Sequence, residues 1–252
     1  MIDEMHSKPL ITVITVVFNS ENELEDTILS VINQSYENIE YIIVDGGSRD
    51  GSVGIIKRYQ NRISQWISEP DNGIYDAMNK SLKIATGDFL IFMNSGDSFY
   101  SPNTISNLLK NIAEPDAIYY GNAIYTDKIN YKTQKRGGYF SKYRLAKVNL
   151  CHQTIFYPRS VYKKNKYELK YKLYADWAYN IKLFSKNRFV YSDLDIVFFD
   201  ASGQSAQSED LLFKKKRLYF VYKFLGVDAI LYLMFNKIRN VVLGIFNKSS
   251  KV

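Results

Sequence analysis

The sequence predicts an α/β fold in which a mostly parallel central sheet is flanked by helices. Over residues 10–97, apolar segments rich in β-branched side chains alternate with segments whose apolar residues recur every three or four positions. Gly, Asn, Asp and Ser cluster after the apolar segments and predict turns there. This β-α-β-α-β-α-β order is typical of a doubly wound parallel sheet, whose ligands bind outside the carboxyl ends of the strands.

The first two strands are clear apolar runs. Leu10 to Phe18 reads LITVITVVF, and Ile39 to Val44 leads directly into Asp45. An amphipathic segment between the two runs predicts the first helix. A Gly- and Ser-rich turn follows Asp45, and we expect a second helix from there through Tyr59.

The next two strands flank the most regular helix of the chain. Ile63 to Ser68 predicts the third strand, and Pro70 to Gly73 predict a loop after it. From Ile74 to Ala85 apolar residues recur with helical spacing, and Gly87 predicts the end of that helix. Phe89 to Met93 then predicts the fourth strand.

The second half of the chain is less regular. We expect helices over residues 103–112 and 175–186, and strands over 117–125, 153–157, 189–191 and 196–199. Neither a repeat nor a low-complexity linker interrupts this part of the sequence. We therefore expect one domain over residues 1–208, followed by a helical basic tail over 209–252.

The positive charge of the chain is concentrated in this tail. Residues 209–252 contain nine Lys/Arg and three Asp/Glu, a net charge of +6 out of the +7 of the whole chain. The remainder lacks a basic stripe, so we expect no nucleic-acid partner. Two interpretations of the tail stay open: a basic amphipathic helix lying on an anionic membrane, or a helix packed on the domain or on a second subunit.

Several other classes of protein are disfavoured. The single cysteine, Cys151, cannot form a disulfide framework within the chain and suits a reducing compartment. The first ten residues lack a basic segment followed by an apolar one, so we expect no signal peptide. No apolar run approaches the roughly 20 residues of a membrane-spanning helix. The turn after Asp45 is not a G-x-x-x-x-G-K-[ST] phosphate loop, and no G-x-G-x-x-G motif follows the first strand.

Three aspartates are candidate functional residues, and two of them follow strands of this sheet. Asp97 ends the segment Asn94-Ser95-Gly96-Asp97 after the fourth strand, where a carboxylate can hold a divalent cation against a phosphate. Asp45 either contacts a nucleobase or ribose hydroxyl or caps its own turn. Asp176 opens a predicted helix, as a general base or as a helix cap.

Histidine is scarce in this chain. Only His6 and His152 occur. For His152 we consider a metal ligand, a contact to a diphosphate or an acceptor hydroxyl, and a hydrogen-bonded structural side chain, and the sequence leaves these open.

Taken together, these segments resemble the inverting family 2 glycosyltransferases, which have a GT-A fold, and most closely those of bacterial surface-polysaccharide synthesis. The matching segments, over roughly residues 10–205, are ITVITVVFN, VDGGSRDGS, EPDNGIYDAMNKSLKIATGDFLIFMNSGD, CHQTIFYPRSVY and YADWA. The resemblance implies a nucleotide-binding half at 10–97 and an acceptor-binding, catalytic half at 98–208.

The resemblance also implies roles for individual residues. Asp176 is expected to be the catalytic base. Asp97 is expected to be the sole carboxylate ligand of the metal, because Ser95-Gly96-Asp97 is similar to the D-x-D motif of the family but begins with Ser. The expected substrate-binding residues are Thr15, Val17, Asn19, Asp45, Asp71, Asn79, Ser95, His152, Gln153 and, in a loop that closes over the donor, Ser205.

The implied function is metal-dependent glycosyl transfer with Mn²⁺ or Mg²⁺. A hexose or N-acetylhexosamine would pass from a nucleoside-diphosphate sugar, with UDP as the expected nucleotide, to a polyprenyl-linked saccharide or a growing O-antigen, lipopolysaccharide, capsule or exopolysaccharide. The enzyme would be cytoplasmic and peripherally associated with the inner face of the cell membrane, with a homo-oligomer left open. The alternatives are a nucleotidyltransferase and a non-catalytic nucleotide-sugar-binding protein.

Overall fold

The computed structural model describes residues 8–127, 132–201 and 210–249. The strands are β1 (Ile11–Val17), β2 (Ile39–Asp45), β3 (Gln65–Ser68), β4 (Phe89–Phe92), β5 (Ser98–Phe99), β6 (Ile118–Asp127), β7 (Lys132–Arg136), β8 (Ile155–Pro158) and β9 (Phe189–Asp200). The helices are α1 (Leu24–Ile32), α2 (Ser52–Arg58), α3 (Ile74–Ile84), α4 (Thr104–Leu109), α5 (Lys142–Lys147), α6 (Arg159–Tyr162), α7 (Ala175–Phe184), α8 (Leu211–Phe220) and α9 (Val227–Ser249). Short 3₁₀ turns lie at Gln60–Arg62 and His152–Thr154, and a π-helical turn, Val221–Leu225, follows α8.

The described strands form one sheet in the order β3-β2-β1-β4-β8-β6-β9-β5, with β7 paired to β6. Strands β1 to β4 are parallel to one another, and β8 is antiparallel to both β4 and β6. Strand β9 is parallel to β6. The predicted α/β fold and the parallel arrangement over residues 10–97 are therefore confirmed. The carboxyl ends of β1, β2 and β4 meet at one edge of the sheet.

Apolar side chains of β1 point alternately to the two faces of the sheet, and helices cover both faces. Ile14 and Val16 pack in an apolar cluster with α3, α7 and α8. Ile11, Val13 and Val17 pack in a second cluster with α1, α2 and α4. All of β1 is buried, as expected for a parallel strand covered on both sides. Each such Ile or Val contributes about 1.5–3 kcal/mol by burial.

Strand β9 replaces the two short strands expected at 189–191 and 196–199. Its pairing with β6 shifts register beside Asn122, where the polar residues between those two segments lie. The Asn122 amide donates to the carboxylates of Asp193 and Asp195 at 3.0 and 3.2 Å. The sequence prediction left these charged residues between two strands, but the register shift and the amide partner keep them within one strand.

Several elements were missed or displaced. Strands β5 and β7 and helices α5 and α6 had no prediction, because each has six residues or fewer and β7, KTQKR, is exposed throughout. The strand expected at 153–157 begins at Ile155, because the 3₁₀ turn occupies the residues before it. The third strand begins at Gln65 and not at Ile63.

The C-terminal helices pack on the domain along one side. Their inner side chains are buried in the same cluster as α3 and α7, and these are Phe213, Phe220, Val221, Leu225 and Ala229. Asp210 caps α8 by accepting from the Phe213 N–H at 2.9 Å. Within the part of the chain that is described, no helix combines the length and apolar character that crossing a bilayer requires. The boundary at residue 208 stays a prediction.

Candidate active site

Three segments meet beyond the carboxyl edge of β1, β2 and β4. Residues Asn94 to Asp97 leave the end of β4, His152 and Gln153 precede β8, and Asp176 lies in the first turn of α7. Since β8 is antiparallel to β4, the beginning of β8 lies beside the end of β4. The topology thus brings together side chains that are far apart along the chain.

Asp97 is almost fully enclosed in the turn after β4, with 5% of its surface exposed. Gly96 forms this turn with a φ of +97°, a left-handed conformation that glycine adopts without steric cost. Asp97 Oδ2 accepts from Nε2 of Gln153 at 2.9 Å, and Oδ1 accepts from the Asp200 N–H at 3.1 Å. Burial raises the pKa of Asp97 to about 7, although these hydrogen bonds and the nearby His152 oppose the shift.

The Asp176 carboxylate is buried among donors from four parts of the chain. The Tyr75 hydroxyl in α3 lies 2.9 Å from Oδ1, and the Trp177 N–H donates to the same oxygen at 2.8 Å. Oδ2 accepts from Nδ2 of Asn149 at 2.7 Å and lies 3.2 Å from Nδ1 of His152. The helix cap considered from the sequence is not found, because Tyr174 holds the N-cap position and Asp176 lies within the first turn of α7. Besides the N–H of the adjacent Trp177, the partners of Asp176 are distant side chains.

His152 and Gln153, which are adjacent in sequence, connect the two carboxylates. His152 contacts Asp176, and Gln153 donates to Asp97. The other ring nitrogen of His152, Nε2, lies 3.1 Å from Nδ2 of Asn94. With the amide assigned in this orientation, Nε2 accepts from Asn94, and Nδ1 carries the proton that it donates to Asp176. Asp97 and Asp176 therefore belong to one cluster.

Asp45 lies at the same edge but is fully buried in its own turn. Its Oδ2 accepts from the N–H groups of Gly47 and Ser48 at 3.1 and 3.0 Å and from the Ser68 hydroxyl at 2.6 Å. The Ser48 hydroxyl donates to Oδ1. The carboxylate thus performs the turn-capping role that the sequence left open, and a contact to the nucleobase stays a prediction.

The three residues expected at the end of β1 differ in exposure. Thr15 is fully buried, and its hydroxyl donates to the Met93 carbonyl at 2.8 Å, which ties β1 to the end of β4. Val17 is buried as well. Asn19 is exposed, and its Oδ1 accepts from the Arg49 N–H at 2.9 Å. Of the three, Asn19 is therefore the one whose side chain is open to a ligand.

Asp71 lies in the loop before α3, and Asn79 lies in the second turn of that helix. Asp71 Oδ1 accepts from the Gly73 N–H at 2.8 Å, and Oδ2 lies so near Gly46 that a Cβ there would overlap it. Asn79 donates to the Tyr167 carbonyl at 2.9 Å and accepts from the Tyr167 N–H at 2.8 Å. Asp71 therefore borders the Asp45 turn, whereas the Asn79 amide holds the loop before α7. Roles for both in donor binding stay predictions.

Ser95 connects the Asp97 turn to the loop before α1. Its hydroxyl donates to the Ser20 hydroxyl at 2.9 Å, and its N–H donates to the Val16 carbonyl at 3.2 Å. Its expected substrate contact stays a prediction. Ser205, expected in the closing loop, lies outside the described residues.

Sequence reasoning missed Tyr75, Asn149 and Asp200. Tyr75 lies outside the apolar periodicity that predicts α3, and Asn149 lies in a loop before the 3₁₀ turn, so no local signal marked either residue. Asp200 directly follows a predicted strand, which is the signal that selected Asp45 and Asp97. Besides donating its N–H to Asp97, Asp200 adds a nearby negative charge that raises the pKa of Asp97.

Comparison with known proteins identifies the family. Residues 12–186 match the family model described as Glycosyl transferase family 2. The chain belongs to this family. It is 32% identical over 195 residues to the "PGL/p-HBAD biosynthesis glycosyltransferase" of Mycobacterium bovis, and the match covers 75% of each chain. It is also 32% identical over 149 residues to an uncharacterized glycosyltransferase of Haemophilus influenzae, covering 52% of this chain and 59% of the relative.

Solved structures agree on the fold of this family 2 glycosyltransferase. S. aureus TarS in complex with UDP-GlcNAc matches with a TM-score of 0.65 at 18% identity, over 86% of this chain and 71% of TarS. The mannosyltransferase PcManGT from Pyrobaculum calidifontis, in complex with GDP-Man and Mn²⁺, matches with a TM-score of 0.59 at 17% identity, over 75% and 56%. The expected GT-A fold is confirmed, and family membership makes the chain an enzyme and not a non-catalytic binding protein.

The surroundings of Asp97 fit a hard divalent cation that takes most of its ligands from substrate and water. Each Asp97 oxygen accepts one of the hydrogen bonds described above and has a second lone pair for a cation. Among the described residues, no group of three His, Cys, Asp or Glu side chains could hold a metal. Mg²⁺ typically takes one or two protein carboxylates and completes its shell with phosphate and water. A cation would also supply the positive charge that this buried carboxylate lacks.

Proposed function

We propose that this family 2 glycosyltransferase transfers a sugar from a nucleoside-diphosphate sugar to a hydroxyl of a membrane-held acceptor, with inversion at the anomeric carbon. The observation that carries the proposal is the connection of Asp97 to Asp176 through the adjacent residues His152 and Gln153. A carboxylate suited to a divalent cation and a carboxylate suited to proton transfer would then serve one pair of substrates.

In the proposed reaction, Asp176 takes the proton of the acceptor hydroxyl as that oxygen attacks the anomeric carbon. The new C–O bond forms on the face opposite the nucleoside diphosphate, and the bond to the diphosphate oxygen breaks with its electron pair leaving on that oxygen. One displacement inverts the carbon without a covalent enzyme intermediate. Bound Mn²⁺ or Mg²⁺, held by Asp97, would neutralise charge on the departing diphosphate.

Two structural neighbours support a nucleotide-sugar donor. TarS is described with UDP-GlcNAc, and PcManGT with GDP-Man and Mn²⁺. We take a UDP-sugar as the first candidate because TarS has the higher TM-score of the two. For the acceptor we propose a polyprenyl-linked saccharide of O-antigen, lipopolysaccharide, capsule or exopolysaccharide synthesis. Since the mycobacterial relative is named for PGL/p-HBAD biosynthesis, the acceptor panel should not be limited to polysaccharide precursors.

The outer side of α9 supports the proposal that the acceptor is held at a membrane. We call its exposed apolar residues the outer stripe: Val227, Leu231, Met234, Phe235 and Ile238. Their positions, i, i+4, i+7, i+8 and i+11, form one helical face, and each is 56–65% exposed. Five exposed apolar side chains on one helical face are typical of an interaction surface.

The charge around the outer stripe favours an anionic lipid surface. Exposed basic residues lie on the same C-terminal helices, Lys215 and Lys216 on α8 and Lys237 and Arg239 on α9. Apolar side chains beside Lys and Arg are the features by which a helix lies in the interface of an anionic bilayer. The enzyme would thus be cytoplasmic and peripherally associated with the inner face of the cell membrane.

A donor panel tests the proposed reaction. Purified enzyme is incubated with UDP-, GDP- and dTDP-sugars, Mn²⁺ or Mg²⁺, and polyprenyl-diphosphate saccharides, and nucleoside diphosphate release is measured. We expect release from one donor that requires both the cation and an acceptor, and an NMR spectrum of the product with inverted anomeric configuration. A product with retained configuration would contradict the mechanism.

Vesicle flotation tests whether the outer stripe binds anionic lipid. The wild type should float with phosphatidylglycerol vesicles and remain unbound with phosphatidylcholine vesicles. The double variant Leu231→Ser/Phe235→Ser should bind at least about tenfold more weakly, because two apolar side chains no longer enter the lipid interface. Tyr139→Ser, which changes an exposed aromatic residue outside the tail, is the matched control. Unchanged flotation of the double variant, or a dimer whose formation depends on the stripe, would reject lipid as the occupant.

A further inference from the structure

Tyr75 differs from the other three hydrogen-bond partners of Asp176. The Trp177 N–H and the Asn149 amide nitrogen can only donate. In the assigned tautomer, Nδ1 of His152 also only donates, because Nε2 accepts from Asn94. The Tyr75 hydroxyl can both donate and accept. Of these four partners, Tyr75 is therefore the one that can adapt if Asp176 gains a proton.

The Tyr75 hydroxyl has one proton and two acceptors within hydrogen-bond distance. Its oxygen lies 2.7 Å from the Leu173 carbonyl oxygen and 2.9 Å from Oδ1 of Asp176. Burial and the charge of Asp176 raise the pKa of Tyr75 well above its ordinary value, so the hydroxyl keeps its proton. At any moment the hydroxyl can donate to only one of the two oxygens.

The two orientations of this proton suit two protonation states of Asp176. When the proton points to Oδ1, Tyr75 donates to the carboxylate. When it points to the Leu173 carbonyl, the Tyr75 oxygen presents a lone pair to Oδ1, which is favourable only if Oδ1 itself carries a proton. The first arrangement fits Asp176 before sugar transfer, and the second fits it afterwards.

We propose that Tyr75 is a positioning residue that stabilises Asp176 both before and after it accepts the proton of the acceptor. The inference rests on the proposed function, in which Asp176 is the base. The acceptor O–H bond breaks and the Oδ1–H bond forms, while Tyr75 only rotates its own proton toward Leu173 and then accepts a hydrogen bond from Oδ1–H. The proton is assigned to Oδ1 because one of its two partners, Tyr75, can accept a hydrogen bond, whereas both partners of Oδ2, Asn149 and His152, only donate to it.

Packing holds the Tyr75 ring in place without help from substrate. The ring stacks on Tyr167 with a centroid distance of 5.5 Å. The Tyr167 backbone is fixed in turn by two hydrogen bonds with the Asn79 side chain, one donated and one accepted by the amide, and Asn79 lies one turn further along α3. Only the hydroxyl proton has to move, so the change requires no rearrangement of the buried ring.

The test is Tyr75→Phe with steady-state kinetics and donor binding. We expect kcat to fall about 10- to 100-fold, with the acceptor KM and the donor Kd within about twofold of wild type, because the lost hydrogen bond acts on the proton transfer. The control is Tyr162→Phe, which removes a buried hydroxyl that donates to the Gly87 carbonyl at 2.6 Å and touches neither carboxylate. The control should lose similar stability and keep its kcat.

A double variant separates action through Asp176 from a general structural effect. In an Asp176→Asn background, Tyr75→Phe should change the residual rate by less than about twofold, because the base on which it acts is gone. A full 10- to 100-fold further loss in that background would overturn the proposal, as would a wild-type kcat in the single variant.

A fluorinated residue keeps the proposal testable if Tyr75→Phe does not fold. Placing 3-fluorotyrosine at position 75 retains the ring and the hydroxyl but makes its oxygen a weaker acceptor. We expect kcat to fall roughly two- to fivefold, and an unchanged kcat would overturn the proposal. Failure of the wild type to transfer any sugar would instead reject the proposed function itself.

Discussion

On the proposed donor side of the site, Asp45 accepts from backbone N–H groups two and three residues away, whereas on the proposed base side Asp176 contacts a hydroxyl 101 residues away. Asp97 combines both arrangements. It lies in a local turn at Gly96, but its oxygens accept from Gln153 and Asp200, 56 and 103 residues away. Local turns therefore shape the surroundings of Asp45, and the packing of separate segments shapes those of Asp176.

This difference determines how each side should respond to substitution. A turn that holds itself through backbone N–H groups can keep its geometry when a distant element shifts. A carboxylate whose partners come from α3, the loop at Asn149 and the 3₁₀ turn at His152 depends on the packing of all three. We therefore expect substitutions on the base side to affect the rate most strongly.

The largest effect is expected for Asp176→Asn. The rate of sugar transfer should fall about 100- to 10,000-fold, because the variant cannot take the acceptor proton. The donor Kd, measured by calorimetry, should stay within about twofold. Asp26→Asn, at an exposed position of α1, is the control and should retain wild-type kinetics. Near-normal turnover of Asp176→Asn would show that Asp176 is not the base.

Asp97→Asn should affect binding before it affects the chemical step. Mn²⁺-dependent donor binding is expected to weaken at least about tenfold, because the remaining amide is a poorer ligand for a hard cation. Calorimetric titration of a UDP-sugar with and without Mn²⁺ measures this. Equal metal dependence in variant and wild type would show that the cation is held elsewhere.

The raised pKa of Asp97 predicts a pH-dependent difference in stability. Its folded-state value of about 7 exceeds the ordinary value of 3.8, so the folded protein retains a proton that the unfolded chain has lost. The stabilisation is therefore complete below about pH 4 and is lost as the pH rises through 7. Between pH 4 and pH 8, without divalent cations, the free energy of unfolding of Asp97→Asn, measured with urea, should rise by roughly 2–4 kcal/mol relative to that of the wild type. A constant difference would contradict the buried environment of Asp97.

The smallest effect on catalysis is expected for Asn79→Ala. The free energy of unfolding should fall by about 1–3 kcal/mol, because both hydrogen bonds to the Tyr167 backbone are lost. The donor Kd should change less than about twofold if the amide serves only to hold that loop. Thermal unfolding and calorimetry measure the two quantities, with Asn61→Ala at an exposed position as control. Strongly weakened donor binding would instead support the donor-site role that the family resemblance implies.

The parts of the fold that were predicted correctly depend on short-range signals. Strands β1 to β4 are apolar runs bounded by turn residues, and Asp45 and Asp97 were selected because each follows a strand. The single strand β9 was missed because only its pairing with β6 accommodates the charged residues at its centre. Likewise, the buried inner face and the exposed outer stripe of the C-terminal helices depend on the contacts of α8 with α7 and of α9 with α5, which periodicity along the chain does not contain.

Sequence alone determined the order of strands and helices over residues 10–97, the family, and the carboxylates that follow strands, because alternation, helical spacing and turn chemistry act between neighbours in the chain. Only the tertiary structure decided that Asp176 meets Tyr75, Asn149 and His152 and that Gln153 reaches Asp97. These contacts arise when α3, β8 and α7 pack at one edge of the sheet. Hydrogen bonds between residues so far apart leave no periodic trace along the chain.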